Sequence, residues 1–570
     1  MIVLGLNSGH DSSAALTIDG ELVAYCKEER LTRSKQDSGK PLHQAAIEEV
    51  LLIAGVERSQ IDAIALDRGR LPSRCFVRSS DPLKLGWRKA VNRTTRILGE
   101  LSRLGGDELD IVDGDRIRSY LGVSSSAQIV FVNHHYSHVL GSFNDTEWRT
   151  DALYIAIDAG GDNTCHAAYG FDGEQLRCLY GGDEFLSERK YQYAASIGIA
   201  YSLVTKLLGF KANRHEGKIT GLAAFGTPII GDEICDAFTI EADGNVVSPF
   251  ESVAGLEEFL KDLIKTHSRE DVAASIQYAL EKHVTALVQT FRSIYPSKYL
   301  GLSGGVFANV RLNQKVAELP GVEEIFVMPP MGDEGLSVGN CFAAEISLNG
   351  GVKNLPRGRP LNAYYGRAYS GEDLFAAAQR AGCETQSSED PASACAVLLS
   401  QGRIGAIYAA RMEMGPRALG ARSIIASPAD ARLNDDLNRR LTRTEFMPFA
   451  PYVRDCDAQD VFDIDDRNRE ACRFMTVTVD VKPSWRDKIP AVVHVDGTAR
   501  PQLVQRASNP LYYDILTHFK EITGLPCLVN TSFNAHEEPI INTPQEAVVA
   551  LMEKRIDFLV CDEGLVVARS

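Results

Sequence analysis

No two of the twelve cysteines are spaced C-x-x-C, so zinc ribbons and thioredoxin-like motifs lack their signature. No run approaches the roughly 18 apolar residues of a membrane-spanning helix. The N-terminus, Met1-Ile2-Val3-Leu4-Gly5-Leu6-Asn7, has no basic segment ahead of its apolar stretch. Positive charge is in deficit: 60 Lys+Arg face 76 Asp+Glu, a formal net charge of −16. That balance disfavours a main task of coating nucleic acid or an anionic membrane. A chain of 570 residues buries a core without disulfides. A soluble, cytoplasmic protein of roughly two to four domains is expected.

What is present begins with an internal echo. Ile2 to Leu6 is an apolar run closed by Asn7 and the polar turn Ser8-Gly9-His10-Asp11-Ser12-Ser13. Ala14 to Ile18, the turn Asp19-Gly20, and Leu22 to Cys26 follow. The pattern returns at Ala152 to Ile157, which ends in Asp158 and the turn Ala159-Gly160-Gly161-Asp162-Asn163-Thr164. Cys165 to Tyr169, Asp172-Gly173 and Leu176 to Tyr180 complete the copy. Asp-Gly between apolar runs signals a hairpin. Each copy reads as three strands, with helical stretches at His43–Ala54, Tyr191–Leu208 and Val272–Ile294. An α/β chain that starts two halves in this way has the plan of the actin-like (ASKHA) fold, whose hairpins present backbone N–H groups to phosphate; two unrelated hairpins are the alternative. The Gly/Pro/basic segment Gly350 to Arg359 is the expected boundary between domains at 1–352 and 360–570. The second domain opens with helices at Asp373–Ala381 and Ala392–Gln401.

Several clusters are able to carry chemistry. His134 and His138, if they open a helix, share a face. They suit a metal whose shell Asp158 and Asp333 would complete; surface or structural histidines are the bland reading. Ser303-Gly304-Gly305-Val306-Phe307-Ala308-Asn309 lets backbone approach a nucleotide, or is a packing turn. Lys218 meets phosphate or solvent. Arg411, Arg417, Arg422 and Arg500 recur in what read as Gly/Pro-bearing turns, which favours anion binding, and Asn530-Thr531-Ser532-Phe533-Asn534 adds hydrogen-bonding groups.

Together these motifs resemble the NodU/CmcH-type O-carbamoyltransferases along essentially the whole chain. The likeness rests on Gly9-His10-Asp11-Ser12-Ser13-Ala14-Ala15, Glu28-Glu29-Arg30, His134-His135-x-x-His138, Glu216-Gly217-Lys218-x-x-Gly221 and Ser303-Gly304-Gly305-Val306. It continues through Gly415-Pro416-Arg417-Ala418-Leu419-Gly420, Pro448-Phe449-Ala450-Pro451, His494-Val495-Asp496-Gly497-Thr498-Ala499-Arg500 and Asn530-Thr531-Ser532-Phe533-Asn534. The resemblance implies a duplicated actin-like N-terminal domain and a YrdC-like α/β C-terminal domain. It implies that the latter makes carbamoyl-adenylate from carbamoyl phosphate and ATP with Mg2+, and that the former passes the carbamoyl group to an acceptor hydroxyl. By the same likeness His134, His138, Asp333 and Asp158 hold Fe2+ or another divalent metal. The acceptor hydroxyl needs a base, for which His10, beside Asp11, is the candidate. Lys218, Gly304, Gly305 and Asn309 hold the nucleotide, and Arg417, Arg422, Arg443, Arg500, Asn530 and Ser532 hold carbamoyl phosphate and ATP.

The sequence departs from the family pattern at Leu441, where a lysine is expected, and at Met447, where an arginine is; a C-terminal domain fed by a partner is therefore an open alternative. From Arg68 to Arg96 the chain turns basic (Arg68, Arg70, Arg74, Arg78, Lys84, Arg88, Lys89, Arg93, Arg96), with Phe76 and Trp87 interleaved. An anionic acceptor docks there, or the stretch is a solvated face. The acceptor is expected to be a small-molecule hydroxyl on a natural product, sugar or nucleotide. The oligomeric state stays open, a homodimer included. Rival readings are a sugar or acid kinase with a regulatory tail, a tRNA threonylcarbamoyl-transferase fusion, and a nucleotide-gated binding protein.

Overall fold

The first apolar run is strand β1 (Ile2–Asn7), which folds back into β2 (Ser13–Ile18) and then β3 (Glu21–Lys27). β1 and β2 are antiparallel, with Ile2 opposite Ile18 and Asn7 opposite Ser13. Asp19 and Gly20, at φ 52° and 83°, make the two-residue turn into β3, and both left-handed angles match the twist of a tight hairpin. Helix α1 (Gln44–Ala54) then carries the chain across to β4 (Ala63–Asp67), which pairs parallel with β1. α1 buries Ala46, Ile47, Val50 and Leu51 on one face, and each of its three larger side chains contributes about 1.5–3 kcal/mol. β5 (Gln128–Val132) adds parallel to β4, giving the order β3-β2-β1-β4-β5.

This computed structural model describes residues 1–37, 42, 44–77, 94–98, 101, 107–183, 193–443 and 448–568. They fall into two compact units. The first is Met1–Gln192, Gly301–Val306 and Pro330–Arg359; the second is Tyr193–Leu300, Phe307–Pro329 and Pro360–Ser570. Among the described residues no helix is long and apolar enough to cross a membrane.

In the first unit, β5 leads through Asn133 into α2 (His134–Asn144), and the Asn133 side chain caps the helix by accepting from Tyr136 N. The second three-strand start follows as β6 (Ala152–Gly161), β7 (Thr164–Phe171) and β8 (Leu176–Tyr180), all antiparallel. The repeated β1–β3 and β6–β8 designs are those of an actin-like fold. β6 runs further than its apolar residues suggest, into the glycine turn. Helix α3 (Leu336–Leu348) packs on β1, β4 and α2. Ser137 Oγ donates to the Leu336 carbonyl at 2.8 Å, and Asn340 Nδ2 to the Leu6 carbonyl at 2.9 Å.

The second unit contains a helix over Arg269–Ile294, packed on the helices Ile197–Leu207 and Glu216–Ala223. The expected helix at Tyr191–Leu208 thus starts at Ile197, where Ser196 caps it; Tyr191 and Gln192 lie outside the described residues, as does His43. Its C-terminal part is an α/β sandwich. The strands are β9 (Glu384–Ser387), β10 (Gly405–Tyr408), β11 (Arg422–Ala426), β12 (Ala450–Arg454), β13 (Gln502–Val504), β14 (Cys527–Ser532), β15 (Phe558–Cys561) and β16 (Gly564–Val567). They form one mixed sheet in the order β9-β16-β15-β10-β11-β14-β12-β13. Helices α4 (Pro391–Ser400) and α5 (Pro510–Thr523) pack together over a core that includes Ile407, Ile425, Leu516, Phe519 and Val560. Arg411 and Arg422 differ from the expectation of turns: each opens a strand, Arg411 in a two-stranded pair with Tyr364–Ala368 and Arg422 in the large sheet, where Ile424 and Ile425 after it are buried between its neighbours.

Candidate metal and carbamoyl-transfer site

His134 and His138 stand one turn apart on α2, their ring centroids 4.9 Å apart. Asp158 joins them from the end of β6, where the register with β7 slips between Ile157 and Gly161. The slip turns its carboxylate toward α2. Asp333, at the start of the short turn Asp333–Gly335, closes the set. Asp158 Oδ2 lies 3.5 Å from His134 Nε2 and 3.2 Å from His138 Nε2; Asp333 Oδ1 lies 3.7 and 3.6 Å from the same atoms. All four ligand atoms fall within 4.8 Å of one another. Two imidazoles and two carboxylates at that spacing fit one divalent transition metal at ordinary bond lengths of about 2.1 Å.

Gly161 makes room for this arrangement, since a Cβ there would sit 2.2 Å from His134 Cγ. His135 turns away into the core, 0 % exposed, and burial holds its ring neutral by driving the pKa well below the usual value.

His10 faces the set from the β1–β2 turn. Its Nε2 is 3.1 Å from Asp333 Oδ2 and its Nδ1 3.2 Å from Asp11 Oδ2. Asn7 fixes the turn by donating to the carbonyls of Asp333 (2.8 Å), His10 (3.1 Å) and Asp11 (3.3 Å). Behind Asp11 is a buried cation: Lys27 Nζ lies 2.9 Å from Asp11 Oδ1 and 3.4 Å from Glu29 Oε1.

The electrostatics follow from acids outnumbering cations. Asp333 and the hydrogen bond that the charged His10 ring gives to Asp11 push His10 up to about 10. Burial works to lower His134, but Asp333 and Asp158 outweigh it and raise it to about 9. His138 is raised by the same carboxylates against its burial. Asp158 is buried, which favours its neutral form, yet the two histidines hold it well below the ordinary carboxylate value. Without a metal, protons supply the positive charge this site requires.

The other expected nucleotide residues divide between the units. Gly304 has φ 91°, and a Cβ on it would meet the Ile157 carbonyl at 2.2 Å. A Cβ on Gly305 would lie 3.1 Å from Asp158 Oδ1. The glycine turn therefore lies against the metal-site end of β6. Lys218 and Asn309 are in the second unit. Lys218 is buried in the helix Glu216–Ala223. Asn309 caps Val310–Ala317 through Leu312 N and pairs by both amide atoms with Gln277 (2.8 and 3.1 Å).

In the C-terminal sheet, Arg443 and Ser532 come together. Arg443 donates to Ser532 Oγ (3.0 Å), Thr531 Oγ1 (2.8 Å) and Asn534 Oδ1 (2.7 Å). Asn530 Nδ2 donates to the Ala418 carbonyl (3.1 Å) and to Gln502 (2.8 Å). Arg422 is fully buried, stacked 3.9 Å over the Tyr408 ring, with its Nη1 donating to the Ala409 carbonyl. Arg417 Nη2 reaches the Ala308 carbonyl, and Arg500 is half-buried. Leu441 is 1 % exposed, a core residue; Met447 lies outside the described residues.

Sequence comparison decides what this assembly belongs to. A model of the carbamoyltransferase N-terminus matches residues 2–342, and one of the carbamoyltransferase C-terminus matches residues 396–568. The chain belongs to the carbamoyltransferase family. Its relatives include the nodulation protein NolNO of Sinorhizobium fredii, 31 % identical over 98 % of this chain and 79 % of that protein. Nodulation protein U of the same species is 26 % identical over 99 % and 98 %. Among solved structures, full-length HypF in its phosphate- and nucleotide-bound form aligns with 61 % of this chain and 47 % of that one, at 14 % identity and a TM-score of 0.34.

This carbamoyltransferase-family chain also uses residues that the sequence reading passed over. Asn7 looked like a strand end, and its position directly before a Gly/Ser turn was the only local signal. Lys27 is legible only after β1–β3 are paired, because Ser13 stands opposite it and brings Asp11 within reach. Of the basic stretch, Arg68 is buried among acids, while Arg70, Arg74 and Arg96 are exposed; Arg78, Lys84, Trp87, Arg88, Lys89 and Arg93 lie outside the described residues.

Proposed function

We propose that the chain is an ATP-dependent O-carbamoyltransferase that carbamoylates a hydroxyl of a small-molecule acceptor. One observation carries the reading: His134, His138, Asp158 and Asp333 converge opposite His10 in a chain whose two ends both match carbamoyltransferases. In the C-terminal domain, water cleaves carbamoyl phosphate to carbamate and phosphate, and the carbamate oxygen attacks the α-phosphorus of Mg–ATP, forming carbamoyl-adenylate as pyrophosphate leaves. Arg417, Arg422, Arg443 and Arg500 are the cations for those anions, beside Asn530 and Ser532. In the N-terminal domain the acceptor oxygen attacks the carbamoyl carbon. The bond to the adenylate oxygen breaks, AMP leaves, and His10 takes the hydroxyl proton. For the nucleotide, Gly304 and Gly305 are the candidates of the first unit and Lys218 and Asn309 those of the second.

His134, His138, Asp158 and Asp333 would hold a divalent cation of the iron type, which supplies charge stabilisation to a carbonyl or phosphate oxygen. Asp333 faces both His10 and that position, so a cation sharing Asp333 weakens the pull that keeps His10 protonated. The acceptor is a natural product, sugar or nucleotide.

The test is to incubate the Fe2+-loaded chain with ATP, Mg2+ and carbamoyl phosphate, without acceptor, and to assay pyrophosphate together with carbamoyl-adenylate by mass spectrometry. Pyrophosphate that depends on carbamoyl phosphate is expected. Its absence with nucleotide binding intact would overturn the first half-reaction and favour a transferase fed by a partner, a reading supported by the buried apolar Leu441.

A further inference from the structure

Arg68 is buried; its side chain is 5 % exposed. Its guanidinium takes three carboxylates. Nη1 donates to Asp162 Oδ2 at 2.6 Å and Asp183 Oδ1 at 2.8 Å, Nη2 donates to Asp183 Oδ2 at 2.7 Å, and Nε donates to Glu108. Two of those acids hold the start of α2. Asp162 Oδ2 also accepts the backbone N–H of His134 at 2.9 Å, and Asp183 Oδ1 accepts Asn133 Nδ2 at 2.9 Å. Asn133 is the residue that caps α2. One planar cation thus grips, through two carboxylates, both the cap and the first residue of the helix that bears His134 and His138.

The bridge has a further consequence in the strands. Asp162 and Asn163 form the β6–β7 turn with φ of 44° and 62°, angles that side-chain-bearing residues adopt at a cost. The hold of Arg68 on Asp162 keeps that turn against α2, and Asp158 lies four residues earlier on the same strand. The helix with two candidate ligands and the strand with a third are therefore clamped by a single side chain. Lysine does this less well, because an ammonium lacks the rigid planar fork by which Arg68 meets Asp183 with two bonds while holding Asp162 and Glu108.

We propose that Arg68 is a positioning residue for the metal site, setting its affinity by fixing α2 and the β6–β7 turn relative to each other. The inference rests on the metal-site reading above and adds to it a determinant from the residue that follows β4. Residues that orient metal ligands from behind change affinity by about 10–100-fold when removed.

The experiment is Co2+ titration of the full chain stripped of metal, followed by visible absorption and calorimetry, with no substrate present. Wild type is expected to show a ligand-field band that His138→Ala abolishes. Arg68→Met, with wild-type circular dichroism, is expected to bind about 10–100-fold more weakly, and Arg68→Lys to fall between the two. If Arg68→Met does not fold, Arg68→Lys decides. Wild-type affinity in a folded Arg68→Met, or in Arg68→Lys when Arg68→Met does not fold, overturns the role of Arg68 while leaving the metal site standing. No band in wild type, or a band that survives His138→Ala, overturns the metal-site reading and this inference with it.

Discussion

Proton release on metal binding offers a direct test of the site's electrostatics. At pH 7 His134, raised to about 9, is almost wholly charged, and His138 is raised as well. Both Nε2 atoms must be free of protons to ligate, so one divalent ion displaces about one proton from His134 and adds to it whatever proton His138 carries. His10, held near 10 chiefly by Asp333, adds up to about one more when a cation takes over that carboxylate. The logarithm of the affinity should therefore climb by about one or more per pH unit from neutrality, the His134 contribution levelling off above pH 9. Calorimetry of Zn2+ or Co2+ binding in buffers of different ionisation enthalpy counts the protons.

The same shift has the opposite effect on the metal-free fold. A histidine raised on folding stabilises fully below its ordinary 6.5, and the stabilisation fades as pH rises through 9. For His134 this is on the order of 3 kcal/mol. No proton release at pH 7, or an affinity flat from pH 7 to 9, would refute the reasoning.

Three other outcomes follow from particular contacts. Gly161→Ala places a Cβ 2.2 Å from His134 Cγ, and the overpacking costs about 1–3 kcal/mol; Co2+ affinity should fall, and an unchanged affinity would show that the ring has room. Lys27→Met strips the cation from Asp11 and Glu29, a loss of about 3–5 kcal/mol visible as a lower melting temperature. Adding Asp11→Asn should recover part of it, and strictly additive losses would contradict the pairing. Asn309→Ala removes a helix cap and the amide pair with Gln277, costing about 1–2 kcal/mol; unchanged thermal unfolding would deny it the structural role.

Much of this was legible in one dimension because the signals are local. Asp19-Gly20 demands left-handed angles that the structure adopts at both residues, so the hairpin was readable from two letters. Histidines four apart after an apolar strand share a helical face by periodicity alone, and α2 does begin at His134. The arginines of the second domain were less legible. Arg422 stands beside Gly-rich sequence, yet the apolar residues after it pair with β14 and draw it, fully buried, onto Tyr408.

The basic stretch was the least legible. Charge density along a sequence reports composition, and it cannot say that Arg68 meets Asp162 and Asp183 rather than water. Those acids are about a hundred residues distant, beyond any local rule.

The sequence by itself determined the duplicated hairpins, the helix with its two histidines, the acidic character of the chain and the family to which it belongs, since each rests on short-range periodicity or on motifs kept in order. Only the tertiary structure decided which carboxylates face those histidines, that His10 spans Asp333 and Asp11, and that Lys27 and Arg68 are buried counter-charges. Burial raises the energy of an unpaired charge, so these pairings are enforced by the fold, and the distances that enforce them exist only after strands far apart in the chain have come together.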